Sequence, residues 1–275
     1  MKRIIILTGS ELRHTFFRKY VALSENINVV ATYCEGLEKS LKTITKSLSV
    51  ECSMREAHLV AREASENDFF GTFCQTNEDF SQPIFLPKGD INNASHVKKI
   101  ISLDPDVIVA YGCSIIREPL LSVFGGRFVN VHLGLSPYYR GSGTNFWPLV
   151  NKEPEFVGAT FMHIDSGIDT GEIIHQIRAD YFWGDTPSSI GNRLILKMSA
   201  TLKDLILNFD NLHVNLPKAS TCESKVYKKI DFSEQAVQRL YQNMKEGLVE
   251  NYLIKIRLRE KDNPIIVNPT LGFNL

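Results

Sequence analysis

Three short runs of mostly apolar residues stand out in the first half of the chain. They are Arg3–Leu7, Ile27–Tyr33 and Asp106–Gly112, and the first and third lead directly or closely into a glycine. Runs of this length and composition are typical of strands that are buried on both faces of a parallel sheet. We therefore interpret all three as core strands.

Apolar residues at helical spacing separate these strands. They recur after the first strand and before the third, at Leu12, Phe16, Tyr20, Leu23, Val97, Ile100, Ile101 and Leu103. A further helix is predicted over Arg55–Asn67, within the largely polar segment 36–81. A long amphipathic helix is predicted near the end of the domain from Leu194, Met198, Leu202, Leu205 and Phe209. This alternation predicts an α/β fold with a Rossmann-like, doubly wound and mainly parallel sheet.

The end of the chain is predicted to form a smaller unit. We place the catalytic domain at residues 1–211 and a small C-terminal α+β appendage at residues 212–275. Asp231 with Glu234 three residues later resembles a helix cap, which predicts a helix to about Lys245. The segment Leu253–Leu258 then alternates in the manner of a strand.

Composition narrows the kind of protein. The chain has 275 residues, 43% of them hydrophobic, and 31 basic residues balance 31 acidic ones. This balance does not favour nucleic acid as a partner. No apolar run approaches the roughly 20 residues that span a bilayer, and polar Thr8 follows the first strand at once. We therefore expect no signal peptide, no membrane insertion and a cytoplasmic protein.

The cysteines are odd in number and widely spaced, which favours reduced thiols over disulfides. They are Cys34, Cys52, Cys74, Cys113 and Cys222.

Glycine patterns limit the ligands that such a sheet would bind. Gly9 stands alone after the first strand, and neither the G-x-G-x-x-G fingerprint nor a P-loop follows any strand. A nucleotide-dependent oxidoreductase is therefore a weak alternative.

Candidate chemistry is concentrated between residues 127 and 171. In the predicted strand Arg127–Gly134, a period of two places Asn130 and His132 on one face. The loop Leu135–Gly141 follows directly, and a second turn-rich loop, Asp165–Gly171, follows the predicted strand Val157–Ile164. Polar side chains at strand ends and in the loops beyond them are typical of an active-site cleft.

Three ordered motifs in this region resemble those of the folate-dependent formyltransferases. They are Asn-x-His at 130–132, Pro-x-Tyr-Arg-Gly at 137–141 and Asp-x-Gly-x-Asp-Thr-Gly at 165–171. The resemblance covers about Pro105 to Gln176. It implies that Asn130, His132 and Asp169 are catalytic and that the donor is N10-formyltetrahydrofolate, with no metal.

The same resemblance suggests binding residues. For the folate donor they are Tyr111, Gly112, Ile115, Ile116, Ser166, Gly167 and Thr170. For the acceptor we select Arg140 together with Tyr138, Tyr139 and Trp147, whose rings could stack on a sugar or base; a buried structural role is the alternative for Trp147. The sequence departs from the family pattern at Gly134, where a serine is common, and at Ser136, where a leucine is frequent.

The three catalytic residue types suit formyl transfer. An amine that attacks a formyl carbon builds negative charge on the formyl oxygen, and a protonated imidazole and an amide N–H aimed at that oxygen stabilise the transition state by several kcal/mol. These roles fit His132 and Asn130. A carboxylate at Asp169 would favour the protonated imidazole and accept the proton that the amine loses.

Plainer interpretations exist for each residue. An isolated Asn-x-His is more often a satisfied pair of core polar groups, and Asp169 is also a natural turn residue. Arg140 is either a surface charge or, in its glycine-flanked loop, a residue that fixes the loop or contacts an anionic substrate. His163 and Asp165 share a strand face, and with His132, His175 and Asp169 they permit a metal site, which lacks paired ligand spacing. His14 is expected near a solvated helix end, and a non-catalytic binding module is a remote alternative.

The acceptor is the open question within the family. Residues 137–147 look most like the branch that formylates nucleotide-linked amino sugars for surface polysaccharides. The segment after Phe209 is shorter than the barrel of roughly 100 residues expected of tRNA-formylating members, and glycinamide ribonucleotide enzymes do not need the segment Asp231–Leu275. We therefore expect a small-molecule amine, an amino sugar on a nucleotide, as acceptor. Glycinamide ribonucleotide, methionyl-tRNA and a peptide-synthesis intermediate remain alternatives, and a homodimer is left open.

Overall fold

The three apolar runs form neighbouring strands at the centre of a seven-stranded sheet. The computed structural model describes residues 1–38, 53–213 and 224–271. The strand order is β3-β2-β1-β4-β5-β7-β8; the first five are parallel, and β5, β7 and β8 are antiparallel neighbours. The strands are β1 Lys2–Gly9, β2 Ile27–Glu35, β3 Pro83–Leu86, β4 Val107–Tyr111, β5 Phe128–His132, β6 Tyr139–Gly141, β7 Gly158–His163, β8 Ile173–Arg178 and β9 Lys225–Tyr227. The predicted Rossmann-like, mainly parallel sheet is confirmed.

Successive side chains of β1 enter two different cores. Ile4 and Ile6 belong to the larger core, whereas Ile5 and Leu7 belong to the smaller one, and all four are fully buried. Because neighbouring residues of a strand point to opposite faces, a strand covered on both sides must be apolar throughout. This requirement explains the unbroken apolar runs in the sequence.

Helices cover both faces of the sheet. Helices α1, α2 and α6 pack against one another over the larger core, and α3 covers the smaller core. The helices are α1 Leu12–Ala22, α2 Met54–Thr76, α3 Ala94–Leu103, α4 Leu120–Val123, α5 Trp147–Val150, α6 Pro187–Leu207, α7 Glu234–Lys245 and α8 Leu248–Asp262. The helix expected at Arg55–Asn67 exists and extends to Thr76. None of the helices in the described ranges is both long and apolar enough to cross a membrane.

Two expectations for the C-terminal segment are wrong. The segment Leu253–Leu258 lies within helix α8, not in a strand. The alternation of apolar and polar residues in this segment does not reflect burial. The buried side of the helix is formed by Val249 and Tyr252, which are three residues apart, whereas Ile254 is exposed. The cap of α7 is Ser233, whose Oγ accepts the N–H of Ala236 at 3.2 Å, and not Asp231.

The C-terminal residues share the main core. Leu240 of α7 and Val249 and Tyr252 of α8 are buried in the same cluster as the residues of β1 and α6. Strand β9 pairs in parallel with β6, so this segment also reaches the loop that follows β5. Cys52 and Cys222, and the polar residues 39–52, lie outside the described residues.

Candidate active site

One strand and one loop bring the three predicted catalytic residues together. Asn130 and His132 lie on β5 and point to the same side of the sheet. Asp169 lies in the loop between β7 and β8, with a φ of +51°, in the left-handed region. Aspartate tolerates this conformation better than most residues, so Asp169 is a turn residue and also faces the polar side chains of β5.

The carboxylate of Asp169 bridges the other two side chains. Its Oδ1 accepts the Nδ2–H of Asn130 at 3.2 Å, and its Oδ2 lies 3.4 Å from Nδ1 of His132. The backbone N–H of Gly141 donates to the same Oδ2 at 3.0 Å. The arrangement therefore fixes the carboxylate by an amide, an imidazole and a backbone donor at once.

Both nitrogens of His132 have a neighbour. Nε2 lies 3.1 Å from the carbonyl oxygen of Tyr139. A carbonyl oxygen only accepts, so this contact requires a proton on Nε2, and Nδ1 then faces the carboxylate of Asp169. To donate to an oxygen of a bound molecule, the ring must exchange one of these two partners.

A cavity of about 140 Å³ opens beside the carboxylate. Asn130 and Asp169 form part of its wall, and the ends of β4 and β7, with the loops that follow these two strands, form the rest. Five residues predicted for the folate donor line it: Gly112, Ile115, Ile116, Gly167 and Thr170. Tyr111 and Ser166 are not among its lining residues. Tyr111 is buried, with its ring edge-on to His14 and 4.9 Å from it.

The Asp-x-Gly-x-Asp-Thr-Gly loop is held by its own first aspartate. Oδ1 of Asp165 accepts the N–H of Gly167 at 2.9 Å and the hydroxyl of Thr170 at 2.8 Å. The sequence analysis considered Asp165 only as a metal ligand, although this residue opens the motif. Its side chain shapes the cavity wall by closing this turn.

The opposite loop, residues 113–117, is anchored from two sides. Oε2 of Glu35, a fully buried residue at the end of β2, accepts the N–H of Ser114 at 2.6 Å. The same carboxylate accepts from Nζ of Lys88 at 2.8 Å and, through Oε1, from the N–H of Gly89 at 2.9 Å. Asn92 Nδ2 donates to the carbonyl of Ile115 at 2.9 Å. The sequence did not indicate this role of Glu35, because a glutamate at the end of a strand gives no sign that it binds the backbone of a distant loop.

The aromatic residues predicted to contact the acceptor lie in the protein core and not at an open surface. Tyr138, Tyr139 and Trp147 are buried at 8%, 1% and 6% exposure. The ring of Trp147 stacks on Tyr227 at 4.1 Å with an interplanar angle of 7°. These rings fill the core beneath the loop, and their faces are not open for stacking on a sugar or base.

Arg140, the fourth predicted acceptor residue, is half-buried. Its Nε donates to Oγ of Ser224 at 2.7 Å, which ties the loop after β5 to the segment before β9. The contact supports the interpretation that Arg140 fixes this loop.

His14 is buried at 4% exposure, contrary to the expected solvated position. Its ring is packed against two glycines, since a Cβ at Gly9 or Gly112 would lie 2.7 or 2.5 Å from it. Burial, with the nearby charges of Arg13, Lys88 and Arg62, holds the pKa of His14 well below its ordinary value. Three positive side chains, Arg13, Arg62 and Lys88, thus lie near the ring of His14.

The histidines considered for a metal are dispersed. His163 lines the cavity, whereas Nδ1 of His175 accepts the backbone N–H of Asn268 at 3.0 Å. Within the ranges that the structure describes, no three His, Cys, Asp or Glu side chains are grouped so that they could hold a metal ion.

Comparison with known proteins agrees with the motifs. The model of the formyl transferase family matches residues 18–205. The methionyl-tRNA formyltransferase of Alkaliphilus oremlandii is 29% identical over 165 residues, which cover 57% of this chain and 52% of that protein. The chain thus spans about half the length of the curated relatives it matches.

Solved structures share the fold at low identity. A phosphoribosylglycinamide formyltransferase from Anaplasma phagocytophilum has a TM-score of 0.53 at 14% identity, with 82% of this chain and 98% of that chain covered. A sugar N-formyltransferase from a Shewanella species has a TM-score of 0.54 at 19% identity, with 84% and 78% covered. Both likenesses concern the fold alone.

Proposed function

Since the chain belongs to the formyl transferase family, we propose that it transfers a formyl group from N10-formyltetrahydrofolate to the amine of an amino sugar carried on a nucleotide. The observation that carries the transfer is that Asn130 and Asp169 stand in the wall of the cavity, with His132 directly behind the carboxylate. A donor lodged in this cavity would present its formyl group to Asn130 and Asp169, and His132 would donate to it after giving up one of its two present partners.

The cavity suits the head of a folate donor. Its apolar wall includes Ile115, Ile116 and Ile168, which can cover a flat heterocycle, and the backbone groups of two loops supply polar contacts. We therefore assign the donor to the loops 112–116 and 166–170. The acceptor would approach from the other side of the formyl carbon.

The proposed chemistry is an acyl transfer. The amine nitrogen attacks the formyl carbon, the bond between that carbon and N10 breaks, and tetrahydrofolate leaves. The Nδ2–H of Asn130 and an N–H of His132 would stabilise the charge on the formyl oxygen, because preorganised donors act most strongly in a site that excludes water. Asp169 would take the proton that the amine loses, directly or through water, and this proton would then pass to N10 as the bond from N10 to the formyl carbon breaks.

The assignment of an amino-sugar acceptor rests on the sequence of residues 137–147, which resembles the sugar-modifying branch. The charge near His14 does not favour one acceptor over another. The positive side chains there are Arg13, Arg62 and Lys88. Glu11 and Glu66 pair with both arginines, and Glu35 pairs with Lys88 at 2.8 Å. The product would be a formamido sugar for surface polysaccharide synthesis.

A second acceptor class is methionyl-tRNA, which the names of the curated relatives favour. Turnover with N10-formyltetrahydrofolate should therefore be measured against UDP-, dTDP- and GDP-linked amino sugars, glycinamide ribonucleotide and charged initiator tRNA. We expect formylation of at least one sugar nucleotide, with its analogue lacking the amine inert. Turnover on tRNA or on glycinamide ribonucleotide, with none on the sugars, would refute the acceptor assignment.

Donor binding is tested separately by calorimetry with a stable folate analogue. Binding is expected in the wild-type protein and in His132→Ala, because His132 does not line the cavity. Failure of a demonstrably folded protein to bind the analogue would reject the donor assignment whatever the acceptor.

A further inference from the structure

Strand β6 touches the candidate catalytic residues through its backbone at both of its ends. The carbonyl of Tyr139 lies 3.1 Å from Nε2 of His132, and the N–H of Gly141 donates to Oδ2 of Asp169 at 3.0 Å. A shift of this strand would therefore move the partners of the imidazole and of the carboxylate together.

Strand β6 is held in place by β9. It is three residues long, and a strand this short gains little order without a partner. β9 pairs with it in parallel, with Tyr139 opposite Lys225 and Gly141 opposite Tyr227. The N–H of Lys225 donates to the carbonyl of Tyr138 at 2.9 Å, and the N–H of Ser142 donates to the carbonyl of Tyr227 at 2.8 Å.

Side chains reinforce the pairing. The ring of Tyr227 stacks on Trp147, and Nδ2 of Asn151 donates to the hydroxyls of both Tyr227 and Tyr139 at 2.9 Å. Nζ of Lys225 lies 2.6 Å from Oε1 of Glu153, whose other oxygen accepts the hydroxyl of Tyr139. These contacts fix the side chain of Tyr139, whereas its backbone carbonyl faces His132.

Gly141 allows the two strands to approach closely. Its φ is +90°, and a Cβ at this position would lie 2.2 Å from the carbonyl oxygen of Tyr227. Only glycine fits such an approach without displacement of one strand. The Pro-x-Tyr-Arg-Gly motif therefore ends in glycine at the point where β9 meets the loop.

We propose that β9 is a positioning element of the active site: it holds β6 in the register at which Tyr139 and Gly141 engage His132 and Asp169. The inference rests on the proposed formyl transfer for its kinetic consequence. On this proposal the C-terminal segment, which we placed outside the catalytic domain of residues 1–211, contributes to the function of that domain through β9.

A matched pair of variants separates backbone pairing from side-chain effects. Lys225→Pro removes the N–H that donates to Tyr138 together with the ammonium group, whereas Lys225→Ala removes the ammonium group alone. We expect kcat of the proline variant to be at least about 10-fold below that of the alanine variant, because small misplacements of catalytic groups are costly. Affinity for the folate analogue should agree within about 2-fold, since neither β6 nor β9 lines the cavity.

A second readout does not depend on turnover. The ¹⁵N resonances of the His132 ring report its hydrogen bond to Tyr139, so they should shift in Lys225→Pro and stay near the wild-type positions in Lys225→Ala. If the proline variant does not fold, Tyr227→Ala, which removes the stack on Trp147, is compared with Tyr227→Phe by the same measurements. Unchanged His132 resonances in a folded variant with β9 displaced, or equal kcat within the pair, would overturn the proposal. Inactivity of the wild type on every acceptor would instead reject the proposed function, and the resonances would still decide the role of β9.

Discussion

Oδ2 of Asp169 lies 3.4 Å from Nδ1 of His132, and the same oxygen accepts the backbone N–H of Gly141. The carboxylate is therefore held in place independently of the imidazole. Its charge can act on His132 without large motion of the loop.

The first prediction concerns this charge. Asp169→Asn keeps the size of the side chain but removes the negative charge and the proton acceptor, so kcat should fall by about 10²-fold or more. Affinity for the folate analogue should change little, because the neutral side chain still fills its part of the cavity wall. Near wild-type turnover of Asp169→Asn, or of His132→Ala or Asn130→Ala, would show that the site is misassigned.

The motif residues could be recognised in the sequence, but the contacts that hold them in position could not all be predicted from it. The strands and most helices were predictable because their apolar patterns reflect burial on two faces or one. Asn130, His132 and Asp169 could be proposed from motif order, and the structure brings these side chains into contact. The contacts of Glu35 and of β9 could not be predicted, since both are made to backbone groups far away in sequence, and hydrogen bonds to the backbone leave no residue pattern.

For Tyr138 and Trp147 the sequence predicted a binding role, whereas the structure places both side chains in the core. Their types suit sugar stacking as well as core packing, and side-chain type alone does not distinguish the two. Burial under the loop decides for the core. The strand predicted at Leu253–Leu258 is wrong because a short alternating pattern does not distinguish a strand from a helix. The buried residues of this helix, Val249 and Tyr252, lie before the alternating segment.

Gly134 offers a second prediction, at a position where the sequence departs from the family pattern. A Cβ at Gly134 would lie 2.6 Å from Nε2 of His132 and 2.6 Å from Cβ of Thr144. Gly134→Ala should therefore displace the imidazole from the Tyr139 carbonyl and lower kcat by roughly 10-fold, with donor affinity retained. Gly125→Ala is the control, since its Cβ meets backbone oxygens only at 3.7 Å. Equal kcat in the two variants would mean that the ring tolerates the added methyl.

Glu35 leads to a third prediction, for the donor side. Burial alone would raise the pKa of Glu35, but the hydrogen bond and charge of Lys88, with the backbone donors of Gly89 and Ser114, lower it. Glu35→Gln removes the charge that anchors residues 113–117. Hydrogen bonds to charged groups contribute about 1.5–3 kcal/mol, so the affinity for the folate analogue should fall by about 10-fold, with a smaller effect on kcat at saturating donor.

The sign of the pH dependence for Glu35 follows from its lowered pKa. The carboxylate contributes stability above its ordinary pKa, and this contribution is lost as the pH falls through the lowered value. The unfolding free energy of Glu35→Gln should therefore approach that of the wild type in acid. Glu25→Gln, at an exposed position, is the control, and an unaltered donor affinity in Glu35→Gln would argue against the anchoring role.

A fourth prediction concerns stability alone. Gly191 lies inside helix α6, and a Cβ at this position would meet nothing within 4 Å. Gly191→Ala should raise the free energy of unfolding by about 0.5–1 kcal/mol, because alanine restricts the unfolded chain and favours the helix. Urea denaturation measures this change, and destabilisation would indicate that the helix needs glycine here for another reason.

The fifth prediction concerns acid sensitivity through His58 in helix α2. Its ring is buried against Phe146 and Phe232, and Nδ1 lies 3.0 Å from the hydroxyl of Tyr241. Burial, assisted by the charge of Arg62, lowers the pKa of His58 to about 4. Between that value and the ordinary pKa of about 6.5, the unfolded chain binds a proton that the folded protein does not, so stability falls as the pH drops through this window. One such histidine contributes a slope of up to about 1.4 kcal/mol per pH unit.

His58→Phe should remove this part of the slope while it keeps an aromatic ring in the same core. Urea denaturation between about pH 7 and about pH 4.5 should show a shallower acid loss of unfolding free energy for His58→Phe than for the wild type. Part of the slope should remain, because burial also lowers the pKa of His175 to about 4. Tyr241→Phe is the matched control: it deletes the hydroxyl partner but leaves the buried imidazole, so its slope should stay close to that of the wild type. Identical slopes for His58→Phe and the wild type would mean that His58 binds its proton without loss of the folded state, which contradicts the burial of its ring.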